Sequence, residues 1–181
     1  MSSAPDPRLG GRSLARIVYD ETAIARRVGE LGAEITDWYG EGDLLILGAL
    51  KGSVIFFSDL IRRIERPLQV DFVIASSYGS GRESSGAVHL VYDPETRLEG
   101  KHLLLVEDIV DSGRTLNRLM GVLRERRPSS LEVCALLHKH IASALQERVK
   151  FVGFDAPHDF LVGYGLDHAE DFRHLPYIAS L

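Results

Sequence analysis

The residues best placed to do chemistry form one contiguous run: Glu107, Asp108, Ile109, Val110, Asp111, Ser112, Gly113, Arg114 and Thr115. The apolar stretch 103–106 runs directly into two adjacent carboxylates, and a short glycine-containing turn then opens a helix. Free amides of such a turn and of the first helical turn converge on a dianion, and the hydroxyls of Ser112 and Thr115 add donors. Gly113 allows close backbone approach or a positive φ. Like charge keeps carboxylates away from a phosphate, so Glu107 and Asp108 need another task. Two acceptors side by side suit the vicinal hydroxyls of a ribose. Asp111, inside the turn, points out of the amide nest toward whatever the sugar carries. The bland alternative is a surface Glu-Asp pair before an ordinary capped helix; the buried strand on one side and the glycine helix start on the other favour a ligand. Neither GxxxxGK[ST] nor GxGxxG occurs anywhere in the chain.

Such a loop has to be held by a strand-turn-helix scaffold, and the flanking sequence predicts one. After Asp20, a plausible cap, Ile24, Val28, Leu31 and Ile35 mark one face of a helix ending near Gly40. Residues 44–50 read as a strand stopped by Lys51-Gly52, and 54–64 as a helix closed by Pro67. Further strands are predicted over 70–75, 88–92, 103–106, 131–137 and 160–164, with a helix over 115–126. Near-continuous apolar strands separated by helices indicate an α/β fold with a mainly parallel sheet covered on both faces, whose ligand sites lie at the strands' carboxyl ends. Residues 1–12 have no periodic apolar face and read as a flexible tail before a single domain, 13–181. The Ser/Gly-rich stretch at about 76–88 reads as a mobile loop.

Bulk properties narrow the classes. A chain of 181 residues, 45% hydrophobic, buries one core. Net charge is −5, from 21 basic and 26 acidic residues, which provides no general field for a nucleic acid. Apolar runs are far too short for a bilayer span, and the N-terminus has no basic region followed by an apolar run, so a cytoplasmic protein is expected. Cys134, the single cysteine, sits in an apolar run and reads as a buried small hydrophobe.

The segment 103–116 resembles the phosphoribosyl pyrophosphate motif of the type I phosphoribosyltransferases, matching it in full. Leu50-Lys51-Gly52-Ser53, the stretch from Asp71-Phe72 to Ser76-Ser77-Tyr78-Gly79-Ser80-Gly81, Val152-Gly153-Phe154 and Val162-Gly163-Tyr164-Gly165-Leu166-Asp167 narrow the resemblance to the hypoxanthine-guanine branch. The matches run in family order from about Val28 to Ile178. The resemblance implies the type I fold, a twisted sheet flanked by helices with a small hood region. It also implies transfer of phosphoribosyl from phosphoribosyl pyrophosphate to a 6-oxopurine with Mg²⁺, by a homodimer or homotetramer. Lys51-Gly52 is then the pyrophosphate loop, its Leu50-Lys51 peptide commonly cis in relatives; Ser77 and Tyr78 cover the pyrophosphate, and Arg82 is a weaker candidate. Lys139 donates to the purine O6, which discriminates against adenine. Phe160 stacks on the purine, Leu161 offers backbone groups to its edge, Arg173 reaches pyrophosphate oxygens, and Asp167, counted with the purine-binding residues, also helps hold magnesium with Glu107 and Asp108. Asp111 is the candidate proton partner at purine N7. Many bacterial relatives follow the lysine with proline and two arginines; His140-Ile141-Ala142 departs from that, and a short helical turn is the expected replacement.

Histidines 138 and 140 flank Lys139, but no third soft ligand has a recognisable spacing, so solvated strand-end side chains are the better reading. Ile55-Phe56-Phe57 is a candidate subunit contact, with core packing the equal alternative. The rival from another class is a regulator of the same fold that senses nucleotides and binds RNA; the acidic net charge and the set from Lys139 to Arg173 weigh against it. A sister enzyme preferring xanthine is the closer alternative.

Overall fold

The structure is a computed structural model that describes residues 6–76, 89–139, 145–146 and 148–181. The elements in chain order are β1 (Arg16–Tyr19), α1 (Glu21–Trp38), β2 (Leu44–Ala49), α2 (Val54–Ile61), β3 (Gln69–Ser76), β4 (His89–Tyr92) and β5 (His102–Val110). They continue with α3 (Arg114–Arg124), β6 (Ser130–His138), β7 (Phe151–Asp155), β8 (Leu161–Val162) and β9 (Ile178–Ser180). Six strands form the main sheet in the order β4-β3-β2-β5-β6-β7, parallel except for β4, which pairs antiparallel with β3. A second sheet, β1-β9-β8, is antiparallel and forms a small hood.

The period-two alternation of the central strands sorts their side chains into two cores. Leu44, Ile46, Leu104, Val106, Cys134 and Leu136 face α1 and α2, while Leu45, Leu47, Leu103, Leu105, Val133 and Ala135 face α3. Asp20 caps α1 by accepting from the Ala23 amide at 2.8 Å, and the predicted stripe Ile24, Val28, Leu31 and Ile35 is buried. Each of those side chains contributes about 1.5–3 kcal/mol of burial. Phe56 and Phe57 are core, which leaves Ile55 as the exposed member of its triplet. Cys134 is fully buried, and burial pushes its thiol upward.

Several boundaries differ from those read in the sequence. Strand β5 runs four residues beyond Val106, because parallel pairing with β6 continues through Glu107 opposite Ala135 to Val110 opposite His138. The adjacent carboxylates therefore stand on a hydrogen-bonded strand. Helix α2 stops at Ile61, where Arg63 turns to pack directly over Gly32 of α1. The strand expected over 160–164 shrinks to two residues, because Gly163 (φ +97) and Tyr164 (φ +50) turn the chain. Short strands β1, β7 and β9 were not evident in the sequence. In the segment expected to be a flexible tail, residues 6–12 carry a 3₁₀ turn and dock on the hood. Tyr177 donates to Asp6 at 2.7 Å, Arg12 pairs with Asp171, and the Arg12 guanidinium lies 4.4 Å above the Phe172 ring.

Asp71, on β3, holds the connection that follows β4: its carboxylate accepts from the Phe72 amide at 2.8 Å and the Thr96 amide at 3.0 Å. Burial raises its proton affinity, but the hydrogen bonds from Thr96 and the amides of Phe72 and Glu95 outweigh it, and the carboxyl is held below its ordinary value. A depressed folded value contributes stability that is present above the unfolded pKa of about 3.9 and is lost as pH falls through the folded value. Asp71→Asn is expected to cost about 1–3 kcal/mol at neutral pH. In urea unfolding, the gap between variant and parent should narrow as pH is taken below about 4; a gap independent of pH would contradict the assignment.

Candidate active site

Strand order reverses direction beside β2: the chain passes from β2 to β3 on one side and later returns to β5 on the other. The carboxyl ends of β2 and β5 thus lie together at the switch point of an open parallel sheet, where ligands bind. After β2 comes the cis peptide between Leu50 and Lys51, followed by Gly52. After β5 comes the turn 111–113 and then α3.

The two strand ends are in direct contact. A side chain at Gly52 would collide with the carboxylate of Asp108, so the absence of a Cβ lets the Lys51-Gly52 turn lie against β5. A third segment closes on both. Gly165, at φ +102, lies so close to the Gly52 carbonyl that an added Cβ would collide with its oxygen, so both the dihedral and the space favour glycine here. Around it Tyr164, Ala169, Glu170 and Phe172 also have positive φ, so the hood turn is wound tightly over the Lys51-Gly52 turn. The Tyr164 hydroxyl donates to Asp59 of α2 at 2.7 Å and anchors it.

Arg173 returns beneath this turn. One amino nitrogen donates to the Gly165 carbonyl at 2.7 Å, and the other lies 2.7 Å from Asp167 Oδ1 and 3.4 Å from Glu170 Oε2. Asp167 Oδ2 accepts from the Glu170 amide at 2.9 Å. Burial, and then the neighbouring Asp108, push the Glu107 carboxyl well above its ordinary value. Burial also raises Asp108, against the amides of Ile109 and Asp108 itself and the positive charge of Arg173; Asp167 adds to the rise. Both groups favour a partner that brings donated hydrogens or positive charge. The donor set of Glu107, Asp108 and Asp167 is all carboxylate, the chemistry a hard cation selects. Among the described residues, no three acidic, histidine or cysteine side chains form a ready cage.

Glu107, Ile109, Val110, Asp111, Ser112, Gly113, Thr115 and Leu116 line a cleft of about 250 Å³. Gly113 has φ +78, as the sequence anticipates, and is the N-cap of α3. The amide of exposed Arg114 stands 3.5 Å from Ser112 Oγ. At the cleft edge Lys139 is anchored by its amide to the Val110 carbonyl at 2.9 Å, and its ammonium lies 3.4 Å from Asp111 Oδ2. Phe160 is 56% exposed and meets His168 edge-on at 5.4 Å, while Leu161 is buried in β8 opposite Ser180. Ser77, Tyr78, Arg82 and the turn expected at 140–144 lie outside the described residues.

The structure therefore gathers Lys51, Gly52, Asp108, Asp167 and Arg173 at one joint, and the 107–115 cleft with Lys139 at another, both served by β5. Sequence reasoning quoted Tyr164 and Gly165 within a motif but gave them no role, and it did not single out Glu170. The Gly163-Tyr164-Gly165 spacing was the available signal for the turn; nothing local announced Glu170.

Comparison with known proteins agrees with this architecture. A family described as phosphoribosyl transferase domain matches residues 15–169. The chain belongs to that family. Within it, the chain is homologous to the hypoxanthine and hypoxanthine-guanine phosphoribosyltransferases. It is 44% identical over 169 residues to the hypoxanthine-guanine phosphoribosyltransferase of Dictyostelium discoideum, covering 91% of this chain and 94% of the relative. Identity to the hypoxanthine-guanine phosphoribosyltransferase of Mycobacterium avium is 47% over 164 residues, covering 87% and 81%. A crystal structure of a hypoxanthine phosphoribosyltransferase from Staphylococcus aureus superposes with a TM-score of 0.87 at 41% identity, covering 93% of this chain and 91% of that one.

Gly165→Ala is expected to destabilise the protein by about 1–3 kcal/mol and to move the hood turn off Gly52. Thermal unfolding and the KM for phosphoribosyl pyrophosphate should both respond. An unchanged KM alongside a lowered Tm would show that this contact has no bearing on substrate binding at the Lys51-Gly52 turn.

Proposed function

We propose that this chain transfers the 5-phosphoribosyl group of phosphoribosyl pyrophosphate to N9 of hypoxanthine or guanine, giving IMP or GMP and pyrophosphate in purine salvage. The observation that carries the choice of base is the Lys139 ammonium 3.4 Å from the Asp111 carboxylate, beside the cleft of the phosphate loop. O6 and N7 are neighbouring acceptors on one edge of a 6-oxopurine. An ammonium and a carboxylate side by side match that edge when N7 carries a proton: Lys139 donates to O6, and Asp111 accepts from N7. Adenine offers an amino group where Lys139 needs an acceptor, which sets donor against donor and forfeits that hydrogen bond.

The amides and hydroxyls of Asp111, Ser112, Gly113, Arg114 and Thr115 hold the 5′-phosphate, with Ile109 and Val110 forming the wall that leads into the loop. Glu107 and Asp108 accept from the ribose hydroxyls. Lys51, the Gly52 turn and Arg173 take the pyrophosphate, which Ser77 and Tyr78 cover. Phe160 supports the face of the base, and the Leu161 backbone meets its edge. Asp108 and Asp167, which meet at the joint with Arg173, would provide oxygen donors for Mg²⁺; Glu107 lines the other cleft, and the three do not come together as one group. When bound with the diphosphate, the metal supplies neutralisation of the negative charge that builds on the leaving oxygens.

Fixing both ends of the sugar substrate leaves C1 facing the base, so the reaction needs positioning and charge stabilisation without a covalent nucleophile. The C1–O bond to pyrophosphate breaks with oxocarbenium character, N9 donates its pair to C1 from the opposite face, and configuration inverts. Asp111 takes the N7 proton as N9 bonds, and pyrophosphate leaves with the electrons of the broken bond. The protein is proposed to act in the cytoplasm as a homodimer or homotetramer; among the described residues, no helix is long and apolar enough to cross a membrane.

Steady-state kinetics with hypoxanthine and adenine test the base assignment. Asp111→Asn is expected to lower kcat by about 100-fold or more with little change in the KM for phosphoribosyl pyrophosphate. Lys139→Gln should lower kcat/KM for hypoxanthine by about 10- to 100-fold and narrow the preference over adenine. Full turnover in the first variant, or undiminished discrimination in the second, would remove those roles.

A further inference from the structure

Glu170 stands between two cations, one from its own hood turn and one from the distant turn after β2. Its Oε2 lies 3.3 Å from the Lys51 ammonium and 3.4 Å from an amino nitrogen of Arg173. Lys51 and Glu170 are 119 positions apart in the chain, so the pyrophosphate-loop turn and the hood turn meet at this oxygen only through the tertiary fold. The Glu170 backbone is left-handed, at φ +63, and its amide is tied to Asp167.

The two cations are not equally committed. Arg173 is held by the Gly165 carbonyl and by Asp167, yet its buried Nε has no hydrogen-bond partner among the described residues. Lys51 is 68% exposed. One carboxylate oxygen shared between an ammonium and a guanidinium stands where an oxygen of a diphosphate would sit if both cations bound it. Diphosphate and Glu170 therefore cannot engage the same donors at once.

We infer that Glu170 is an internal counter-ion of the pyrophosphate clamp: it occupies Lys51 and Arg173 in the ligand-free protein and competes with diphosphate for them. The inference rests on the proposed assignment of those two residues to the pyrophosphate. Glu170 lowers affinity for the leaving group and re-engages the cations as the product departs. Its ion pairs are solvent-exposed, so the effect is modest and sensitive to salt. A purely orienting carboxylate would act in the opposite sense, because its removal would loosen the clamp.

The test is calorimetric titration of the full chain with inorganic diphosphate and Mg²⁺, for the parent, Glu170→Gln and Glu170→Asn. Glutamine keeps the shape and loses the charge, while asparagine tolerates the left-handed backbone and is one methylene shorter. Thermal unfolding checks that each variant is folded. Both substitutions are expected to tighten diphosphate binding by about 3- to 10-fold at low salt, with the gain shrinking as ionic strength rises. The product-inhibition constant of pyrophosphate should fall in parallel. Affinity that is unchanged or weaker in both variants, while the parent binds, overturns the counter-ion and leaves the clamp intact. A folded parent that binds no diphosphate overturns the clamp and the counter-ion together.

Discussion

The parallel pairing of β2 with β5, from Leu44 opposite His102 to Gly48 opposite Val106, is the constraint on which the rest of the molecule depends. It places two chain reversals side by side at one edge of the sheet. A shift of one residue would exchange the α1/α2 face of the strand with the α3 face and expose Leu45 or Ile46 to the wrong core. Both cores are densely aliphatic, so the register is strongly specified. The position of Lys51-Gly52 against Asp108 is therefore a consequence of core packing many ångströms away.

That rigid sheet edge is completed by a segment of very different character. The hood turn has little regular structure and is defined by left-handed residues and by three ties: Tyr164 to Asp59, Gly165 against Gly52, and Arg173 to the Gly165 carbonyl. It brings Asp167 and Arg173 to carboxylates whose own charge is disfavoured by burial. Fold and site thus divide the work. The sheet fixes the cleft at the end of β5, and the hood brings Asp167 and Arg173 against it. Residues 6–12 belong to the second part, since Asp6 and Arg12 hold Tyr177, Phe172 and Asp171.

What the sequence disclosed was what is local. The caps and spacing of α1, the alternating strands and the contiguous loop from Glu107 to Thr115 each signal within one turn or one strand. The cap at Asp20 follows from residue type, the buried face of Ile24, Val28, Leu31 and Ile35 from their spacing, and the positive φ of Gly113 is one of the two outcomes its glycine allowed. The hood was much less legible, because β1, β8 and β9 have only four, two and three residues and no room for a pattern. Left-handed Glu170 and Phe172 carry no glycine to announce them, and the tie from Lys51 to Glu170 depends on a separation no local rule spans. Lys139 was recognisable through resemblance; its closeness to Asp111 needed β5 and β6 in register.

The most direct measurement is nucleotide formation by the purified protein with Mg²⁺ and phosphoribosyl pyrophosphate, offering hypoxanthine, guanine, xanthine and adenine separately. Rapid formation of IMP or GMP with no AMP is the predicted result. Absence of product with either hypoxanthine or guanine from folded protein, or a preference for adenine, would contradict the account of the Lys139–Asp111 edge and of the joint beside it.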